Sequence, residues 1–221
     1  MIPLRDVIPS RTVPFFTVTI IIINALAWLF ELSLSQDDLA AFLRTFGVVP
    51  ARLETPTLVT SMFLHGSWSH VIGNMLYLWI FGDNVEDRMG HGRFLVFYFL
   101  CGFLAAYGQV LMDPTSQLPL IGASGAIAGV MGAYLVLYPH SRVLTVITLL
   151  FFWEVVEVPA IALLGFWFVM QLFSAGAIAA TASAQSGGVA FAAHVAGFVA
   201  GAAGVFLFRK REAPDARWRA F

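Results

Sequence analysis

Long apolar runs, separated by short polar connections, make up most of this chain. A helix that crosses a bilayer needs about 20 predominantly apolar residues, with a range of about 17–25. Six runs are predicted to be membrane-spanning helices, and we call them spans one to six in chain order: 14–34, 71–85, 94–112, 123–139, 159–179 and 189–208. The pattern predicts an all-α polytopic membrane protein, a bundle of six transmembrane helices.

Two of these spans are shorter than the others. We expect span two to begin somewhat earlier, within 65–69, and span four to end at Pro139, because proline interrupts a helix. A further run, 143–153, is apolar over only about half the length of a span and is closed by Glu154 and Glu157. We interpret this run as an interfacial or re-entrant segment, with a seventh span as the alternative.

Basic residues fall almost entirely on one side of the six-span arrangement. The side that holds 35–69, 113–122 and 181–188 has only Arg44 and Arg52. The other ten of the twelve basic residues lie in the tails and the even-numbered connections: Arg5, Arg11, Arg88, Arg93, Arg142, Arg209, Lys210, Arg211, Arg217 and Arg219. The positive-inside rule assigns this basic side to the cytoplasm, so both termini are predicted to be cytoplasmic.

Composition agrees with a membrane protein. The chain is 59% hydrophobic and 11% charged, against roughly 45–50% and 25% in soluble domains. The net charge of −1 gives no indication of a nucleic-acid partner, and the sole cysteine, Cys101, excludes an intramolecular disulfide. We predict one membrane domain over 14–208, a cytoplasmic segment over 1–13, and a basic tail over 209–221 that fixes orientation against anionic lipid. Span one is too long for a signal peptide, and we interpret it as a signal anchor.

Four polar residues on three spans are predicted to lie at one depth. His70 and Asn74 lie near the start of span two, Ser124 opens span four, and His194 lies near the start of span six. All three spans enter from the outer side, so the rise of about 1.5 Å per residue places these side chains at a similar level. Span four covers roughly 24 Å, less than the ~30 Å hydrocarbon core. We therefore expect the loop 114–122 to dip inward and to place Ser124 at the bottom of a cavity that admits water.

Glycines repeat at intervals of four on the same spans. Gly125 and Gly129 form a small-residue face on span four, and Gly197 and Gly201 form another on span six. Such faces let helix backbones approach closely, which a short serine side chain needs if it is to reach a histidine on another helix. Packing of the bundle without any catalytic purpose is the alternative interpretation of these glycines.

The residue types at this depth suit amide hydrolysis. Serine becomes a nucleophile when a base takes its proton, and histidine is the usual base near neutral pH. Attack on a carbonyl creates an oxyanion that needs preorganised donors. The His70 ring, the Asn74 amide and the backbone N–H of Ser124 at a helix N-terminus can donate. Because no acidic residue lies at this depth, we predict a dyad of Ser124 and His194.

These motifs resemble those of the rhomboid family of intramembrane serine proteases, in order over about 60–206. The matching segments are Gly122-Ala-Ser124-Gly125 with G-x-S-G, Ala193-His194-Val-Ala-Gly197-Phe-Val-Ala-Gly201 with A-H-x-x-G-x-x-x-G, His65-Gly-Ser-Trp-Ser-His70-Val-Ile-Gly-Asn74 with H-x-x-x-x-H-x-x-x-N, and Gly82-Asp-Asn-Val-Glu86-Asp-Arg-Met-Gly90. The resemblance implies that Ser124 is the nucleophile, that His194 is general base and then acid, and that His70 and Asn74 line the oxyanion hole.

The resemblance also implies what the protein acts on. The family cleaves transmembrane helices of other proteins at or near small residues, within the lipid bilayer and without a metal or cofactor. By resemblance alone we expect a bacterial inner (plasma) membrane, with the active site opening to the outer side. We expect neither a metal nor a nucleic acid as partner.

Two departures from the family pattern affect the fine geometry. Some members carry a Trp-Arg pair in the first outer loop, and the corresponding loop 36–68 has none. Some have a tyrosine four residues after the serine that stacks on the catalytic histidine. Here that position is Ala128, so another group must hold the His194 ring.

Other polar and aromatic residues have less specific interpretations. Asn24 and Gln171 are polar at membrane depth, and we expect interhelical hydrogen bonds from both, with substrate contact as the second interpretation. Glu86 and Arg88 lie on the side away from the serine, and we expect a structural role. The aromatic run 166–168 forms either a lateral gate beside span five or ordinary lipid packing.

Two competing functions come from other classes. The first is a non-catalytic rhomboid-like membrane protein that binds transmembrane helices without cutting them. The second is a small transporter or channel, although the polar groups form one layer, not a path across the membrane. A zinc site is not expected, because His65 and His70 are five residues apart and no His-Glu-x-x-His motif occurs. We expect His65 to pack the loop.

Overall fold

The structure is a computed structural model that describes residues 1–149, 152–181 and 190–210. Within these ranges the chain is mostly helical. Its helices are α1 (Phe15–Leu32), α2 (Gln36–Phe46), α3 (Thr57–Thr60), α4 (Trp68–Met89), α5 (His91–Met112), α6 (Ser124–Leu137), α7 (Ala160–Thr181) and α8 (Phe191–Phe208). Its strands are β1 (Ile2–Asp6), β2 (Arg142–Leu149) and β3 (Phe152–Pro159).

Each of the six predicted spans coincides with a helix, in order α1, α4, α5, α6, α7 and α8. Four of these are long and apolar enough to cross a membrane by themselves: α1, α5, residues 160–177 of α7, and α8. Helix α4 has 22 residues but carries several charged groups towards its end, and α6 has only 14 residues. Six membrane crossings therefore remain a prediction, because two of the helices do not meet this standard.

Helix α6 is the most enclosed helix of the bundle. All its residues from 125 to 134 are buried, and it packs most extensively against α8, with further contacts to α4, α5 and α7. Its sequence is rich in glycine, alanine and aliphatic residues with no charge, as expected for a helix that is surrounded by other helices and not by water. The position of Ser124 is therefore set by neighbours on several sides.

Glycines place the backbones of α6 and α8 in direct contact. A Cβ atom built on Gly201 would lie 1.8 Å from the carbonyl oxygen of Gly129, and one on Gly197 would lie 2.1 Å from that of Gly125. No side chain fits at either position without moving one helix away from the other. This close approach holds the first turn of α8 beside the first turn of α6.

A buried carboxylate joins the start of α1 to α4. Glu86 accepts hydrogen bonds from the backbone N–H groups of Phe16 and Thr17, at 2.9 and 2.8 Å, and from the Thr17 hydroxyl at 2.7 Å. The first N–H groups of a helix have no intrahelical acceptor, so this carboxylate caps α1 from a neighbouring helix. His91 Nδ1 lies 2.6 Å from the same carboxylate. The expectation of a structural role for Glu86 is confirmed.

In its described residues, 143–149 and 152–153, the segment predicted as interfacial, re-entrant or a seventh span is strand and not helix. Strands β2 and β3 pair antiparallel, and β1 from the N-terminal segment pairs with β2 to give the sheet order β1-β2-β3. The seventh span is wrong, because an open three-stranded sheet exposes unpaired edges that a hydrocarbon core does not tolerate. The physical reason lies in valine, isoleucine and threonine, which dominate 143–148 and favour strands.

Candidate active site

Two helix beginnings bring a serine and a histidine together. Ser124 is the first residue of α6, and His194 lies in the first turn of α8. The Oγ of Ser124 lies 2.8 Å from Nε2 of His194, within the hydrogen-bond reach that a nucleophile and its base require. His194 is 8% exposed, whereas Ser124 is half-buried. The serine hydroxyl can therefore give its proton to the imidazole while staying open to a substrate.

A glutamine on α7 contacts the other nitrogen of the imidazole. Nδ1 of His194 lies 2.7 Å from Oε1 of Gln171. An amide oxygen only accepts hydrogen bonds, so this contact favours the tautomer that carries its proton on Nδ1. Nε2 is then left as the acceptor that faces Ser124. The expected interhelical bond from Gln171 is confirmed. It also holds the His194 ring, which the short side chain of Ala128 cannot do.

An indole ring holds the imidazole from a second direction. The rings of Trp167 and His194 have centroids 5.7 Å apart and planes tilted by 36°. Trp167 lies one helical turn before Gln171, so both contacts come from the same face of α7. The neighbouring Phe168 stacks on Phe198 of α8 at 4.6 Å, and Phe166 is exposed. Trp167 and Phe168 therefore contact α8, whereas Phe166 lies on the outer surface of α7.

His70 and Asn74 face the loop that leads into Ser124. The Ser67 side chain caps α4 by accepting from the backbone N–H of His70. The N–H of Gly66 donates to Nδ1 of His70 at 3.4 Å, which leaves Nε2 as the protonated nitrogen. A Cβ on Gly122 would lie 2.6 Å from this Nε2 and 3.7 Å from the Asn74 amide nitrogen. Both donors are therefore next to the backbone two residues before Ser124.

Gly122 makes that approach possible for two reasons. Its φ of +117° lies in a region that other residues rarely adopt. A side chain at this position would also collide with the His70 ring. Its N–H donates to the carbonyl of Ser61 at 2.8 Å, which ties the loop to the chain segment ahead of α4.

A further layer of buried polar groups supports the Asn74 amide. Nε2 of His65 lies 3.0 Å from the Asn74 amide nitrogen, and the His65 ring meets the His70 ring edge-on at 4.9 Å. Burial, with a contribution from nearby His70, lowers the pKa of His65 to about 4. The ring is therefore neutral near pH 7, and Nε2 accepts from the amide. The prediction that His65 packs the loop is confirmed.

Glu31 of α1 fixes this loop and was missed by sequence reasoning. It is 1% exposed, and both its carboxylate oxygens accept from the backbone N–H of His65 at 3.2 Å. An acidic residue near the end of an apolar helix was the only signal for it. In contrast, Asn24 donates to the carbonyl of Ile20 in its own helix, at 2.8 Å. The expected interhelical bond from Asn24 is wrong, because the i−4 carbonyl is a nearer acceptor.

A family model described as the rhomboid domain matches residues 52–211. This range contains every residue of the site described above except Glu31. The chain belongs to the rhomboid family. As a rhomboid it is an integral membrane protein with a helical polytopic fold.

Three relatives give the extent of the similarity. This rhomboid is 31% identical over 119 residues to the rhomboid protein YdcA of Bacillus subtilis (strain 168), covering 52% of this chain and 59% of YdcA. Over 103 residues it is 36% identical to rhomboid protease GluP of the same organism, covering 47% of this chain and 20% of GluP. Over 149 residues it is 31% identical to mitochondrial rhomboid protein 1 of Saccharomyces cerevisiae, covering 66% of this chain and 39% of that protein. The chain therefore spans at most 59% of the length of these relatives.

The part of the rhomboid that the structure describes contains no group of three or more His, Cys, Asp or Glu side chains placed to hold a metal ion. Cys101 is buried in α5 against Gly129, and the two ring nitrogens of His194 contact Gln171 and Ser124.

Proposed function

We propose that this rhomboid is an intramembrane serine endopeptidase that hydrolyses peptide bonds in or near transmembrane segments of other membrane proteins. The observation that carries the proposal is the pair of hydrogen bonds on His194, at 2.8 Å to Ser124 and 2.7 Å to Gln171. A serine, a base and a group that orients the base form the arrangement that activates a hydroxyl nucleophile. Relatives named as rhomboid proteases add support.

In the first half of the reaction, Ser124 Oγ attacks the carbonyl carbon of the scissile bond while Nε2 of His194 takes the hydroxyl proton. The carbonyl oxygen becomes an oxyanion, which accepts hydrogen bonds from Nε2–H of His70, the Asn74 amide and the backbone N–H of Ser124. The carbon–nitrogen bond then breaks, and His194 gives its proton to the leaving amine. The C-terminal fragment leaves with this amine as its new N-terminus, and the N-terminal fragment remains joined through its terminal carbonyl as an ester to Ser124 Oγ.

In the second half, water attacks this ester while His194 again takes a proton. The oxyanion forms in the same place, and the Ser124 oxygen leaves with the proton that His194 returns. Gln171 keeps its hydrogen bond to Nδ1 throughout, and it stabilises the imidazolium that forms twice in each turnover. No group outside the protein, apart from water and the substrate, takes part in these steps.

The length of α6 supports a site for hydrolysis at membrane depth. At about 1.5 Å per residue, its 14 residues cover about 21 Å, less than the ~30 Å hydrocarbon core. We infer that Ser124, at its first residue, lies below one membrane surface and that the irregular loop before it admits water to the site. We place this opening on the outer side of a bacterial inner membrane, with both termini in the cytoplasm.

A non-catalytic relative of the same fold that binds transmembrane helices is the alternative function. Labelling of the detergent-solubilised protein by a fluorophosphonate probe distinguishes the two, because the probe reacts only with an activated serine. We expect labelling of the wild type, its loss in Ser124→Ala and His194→Ala, and no change in Ser69→Ala, which alters an exposed serine near the same face. Absence of labelling in a folded, monodisperse wild type would favour the binding protein.

A further inference from the structure

The Asn74 amide must present its nitrogen, not its oxygen, to the oxyanion that the proposed mechanism forms. The two ends of an asparagine amide have nearly the same shape, so a half-turn about the last side-chain bond exchanges donor and acceptor. Only the N–H end stabilises an oxyanion, because the carbonyl oxygen repels it. Asn74 is buried, and its amide nitrogen lies 3.0 Å from Nε2 of His65. One N–H therefore donates to His65, and the second can donate to the oxyanion.

His65 can orient this amide only if its own backbone stays in place. The residue lies between the 3₁₀ turn Ser61–Phe63 and α4, so it belongs to neither helix. The N–H groups before and after it have acceptors nearby in sequence, the Ser61 carbonyl at 3.3 Å and the His70 ring at 3.4 Å. The N–H of His65 itself donates to Glu31, whose two carboxylate oxygens both lie 3.2 Å away. The acceptor that fixes His65 thus comes from a separate helix, α1.

Packing of α1 on α4 brings Glu31 to this loop. Trp28 lies one turn before Glu31 on the same buried face of α1. Its ring meets that of Trp68, the first residue of α4, edge-on with centroids 5.5 Å apart. A buried carboxylate is costly without hydrogen-bond donors, and the backbone N–H of His65 is such a donor. Glu31 lies outside residues 52–211, so the family match assigns it no role.

We propose that Glu31 is a positioning residue for hydrolysis: it fixes His65, and His65 in turn orients the Asn74 amide towards the oxyanion. This role rests on the proposed function, because it exists only if Asn74 stabilises an oxyanion. Glu31 acts on a donor that is needed in the transition state more than in the bound substrate. Loss of its acceptor should therefore lower kcat and leave KM nearly unchanged.

Four variants of the full chain in proteoliposomes test this role. Glu31→Met keeps a similar volume without an acceptor, whereas Glu31→Gln keeps an amide oxygen that can accept from the His65 N–H. Glu31→Asp withdraws the carboxylate by one methylene and is a milder change. The matched control is Thr17→Val, because Thr17 is also buried on α1 and its hydroxyl donates to a carboxylate, Glu86, at the other end of that helix. We measure kcat and KM for a transmembrane substrate, and Tm.

We expect kcat of Glu31→Met to fall roughly 10- to 100-fold, because a displaced donor loses part of the factor of about 10²–10³ that one oxyanion donor supplies. KM should stay close to the wild-type value. Glu31→Gln should retain most of the activity, and Glu31→Asp should fall between the other two. Thr17→Val should lower Tm and leave kcat unchanged, since its hydroxyl has no route to Asn74. An equal loss of kcat in Thr17→Val and Glu31→Met would show a general effect of α1 packing and overturn the role.

A double-mutant cycle with Asn74→Ala tests the route through the amide. Once that amide is absent, Glu31→Met should cost little further kcat, because both changes remove the same donor. If Glu31→Met does not fold, Glu31→Asp takes its place in the cycle. Full additivity with Asn74→Ala, or wild-type kcat in both Glu31 variants, would overturn the positioning role alone. A wild type that neither cleaves the substrate nor reacts with the fluorophosphonate probe would instead overturn the proposed function, and the positioning role with it.

Discussion

Gln171 lies between an apolar helix face and the imidazole of His194, and its amide oxygen is the acceptor that Nδ1 contacts. Replacing it by leucine keeps a similar volume and removes the acceptor. We expect kcat of Gln171→Leu to fall on the order of 10- to 100-fold with little change in KM, because the tautomer that faces Ser124 is no longer favoured. Cleavage of a transmembrane substrate in proteoliposomes gives both constants.

Gln171→Glu distinguishes positioning from packing. A carboxylate also accepts from Nδ1, so activity should largely return. The added negative charge favours protonated His194, which is inactive as a base, so the acidic limb of the pH–rate profile should move to higher pH. A glutamate variant as inactive as the leucine variant, or with the wild-type profile, would contradict the role of Gln171.

At the scale of single residues, the sequence predicted the side chains that lie in motifs. It missed side chains whose contacts depend on which face of a helix points inward. Ser124 and His194 were predicted by spacing and residue type, and they form a hydrogen bond. The Trp167 contact depends on which face of α7 points inward, and a uniformly apolar helix gives no periodicity from which to derive that. The Glu31 contact depends on where a loop crosses α1, which no local pattern encodes.

Among the secondary-structure elements, the backbone contact between α6 and α8 allows a direct test of packing. Gly201→Ala places a methyl group on the carbonyl of Gly129, so the two helices must separate. We expect a loss of stability of about 3 kcal/mol or more, because overpacking against backbone cannot be relieved by a rotamer change. Gly165→Ala in α7 meets nothing within 4 Å, and it should be neutral or slightly stabilising. Thermal unfolding of both variants in detergent measures the difference.

The N-terminal strand carries a pH-dependent contact with α6. The Tyr134 hydroxyl donates to Asp6 Oδ2 at 2.6 Å, and Ser141 Oγ lies 2.9 Å from the same hydroxyl. Burial, opposed by the bond from Tyr134 and assisted by nearby Asp83, raises the pKa of Asp6 from 3.8 to about 6. The folded state therefore favours protonated Asp6, and the stability from this group is complete below about pH 4 and lost as pH rises through about 6.

Asp6→Asn should remove this dependence. The amide oxygen still accepts from Tyr134 but does not ionise, so the variant should be more stable than the wild type at pH 7.5 by about 1–2 kcal/mol, after allowance for solvent screening. The two proteins should have similar stability near pH 4. Tm measured from pH 4 to 8 tests this, and parallel curves for the two proteins would contradict the assignment to Asp6.

The helices were predictable as elements and the sheet was not. Apolar runs of membrane length have few alternatives, which is why six runs coincide with six helices. The run 143–153 is apolar enough to indicate a membrane segment, although its valines and threonines favour strands. The partner strand β1 lies within the first six residues, too short and too remote in sequence to indicate pairing.

For the molecule as a whole, the candidate active site lies at the first turn of α6, and β1 contacts the last turn of the same helix through Tyr134. We expect them to face opposite sides of the membrane. After Cys101→Ala, an exposed cysteine at Ala40→Cys in α2 should react with an impermeant maleimide added to intact cells. A cysteine at Gly92→Cys, where a side chain has open space, should react only after permeabilisation. The reverse pattern would invert the predicted orientation.

Because β1 pairs with β2, the N-terminal strand has no partner until β2 has been synthesised. Ile2 pairs with Val146, so the ribosome adds about 140 residues before the first strand has a partner, a wait of about 7–30 s at 5–20 residues per second. Strand β1 is thus synthesised well before it can reach its final place. During that interval β1 is unpaired, so it can bind a chaperone or a strand of a neighbouring nascent chain, and a protease can cut it.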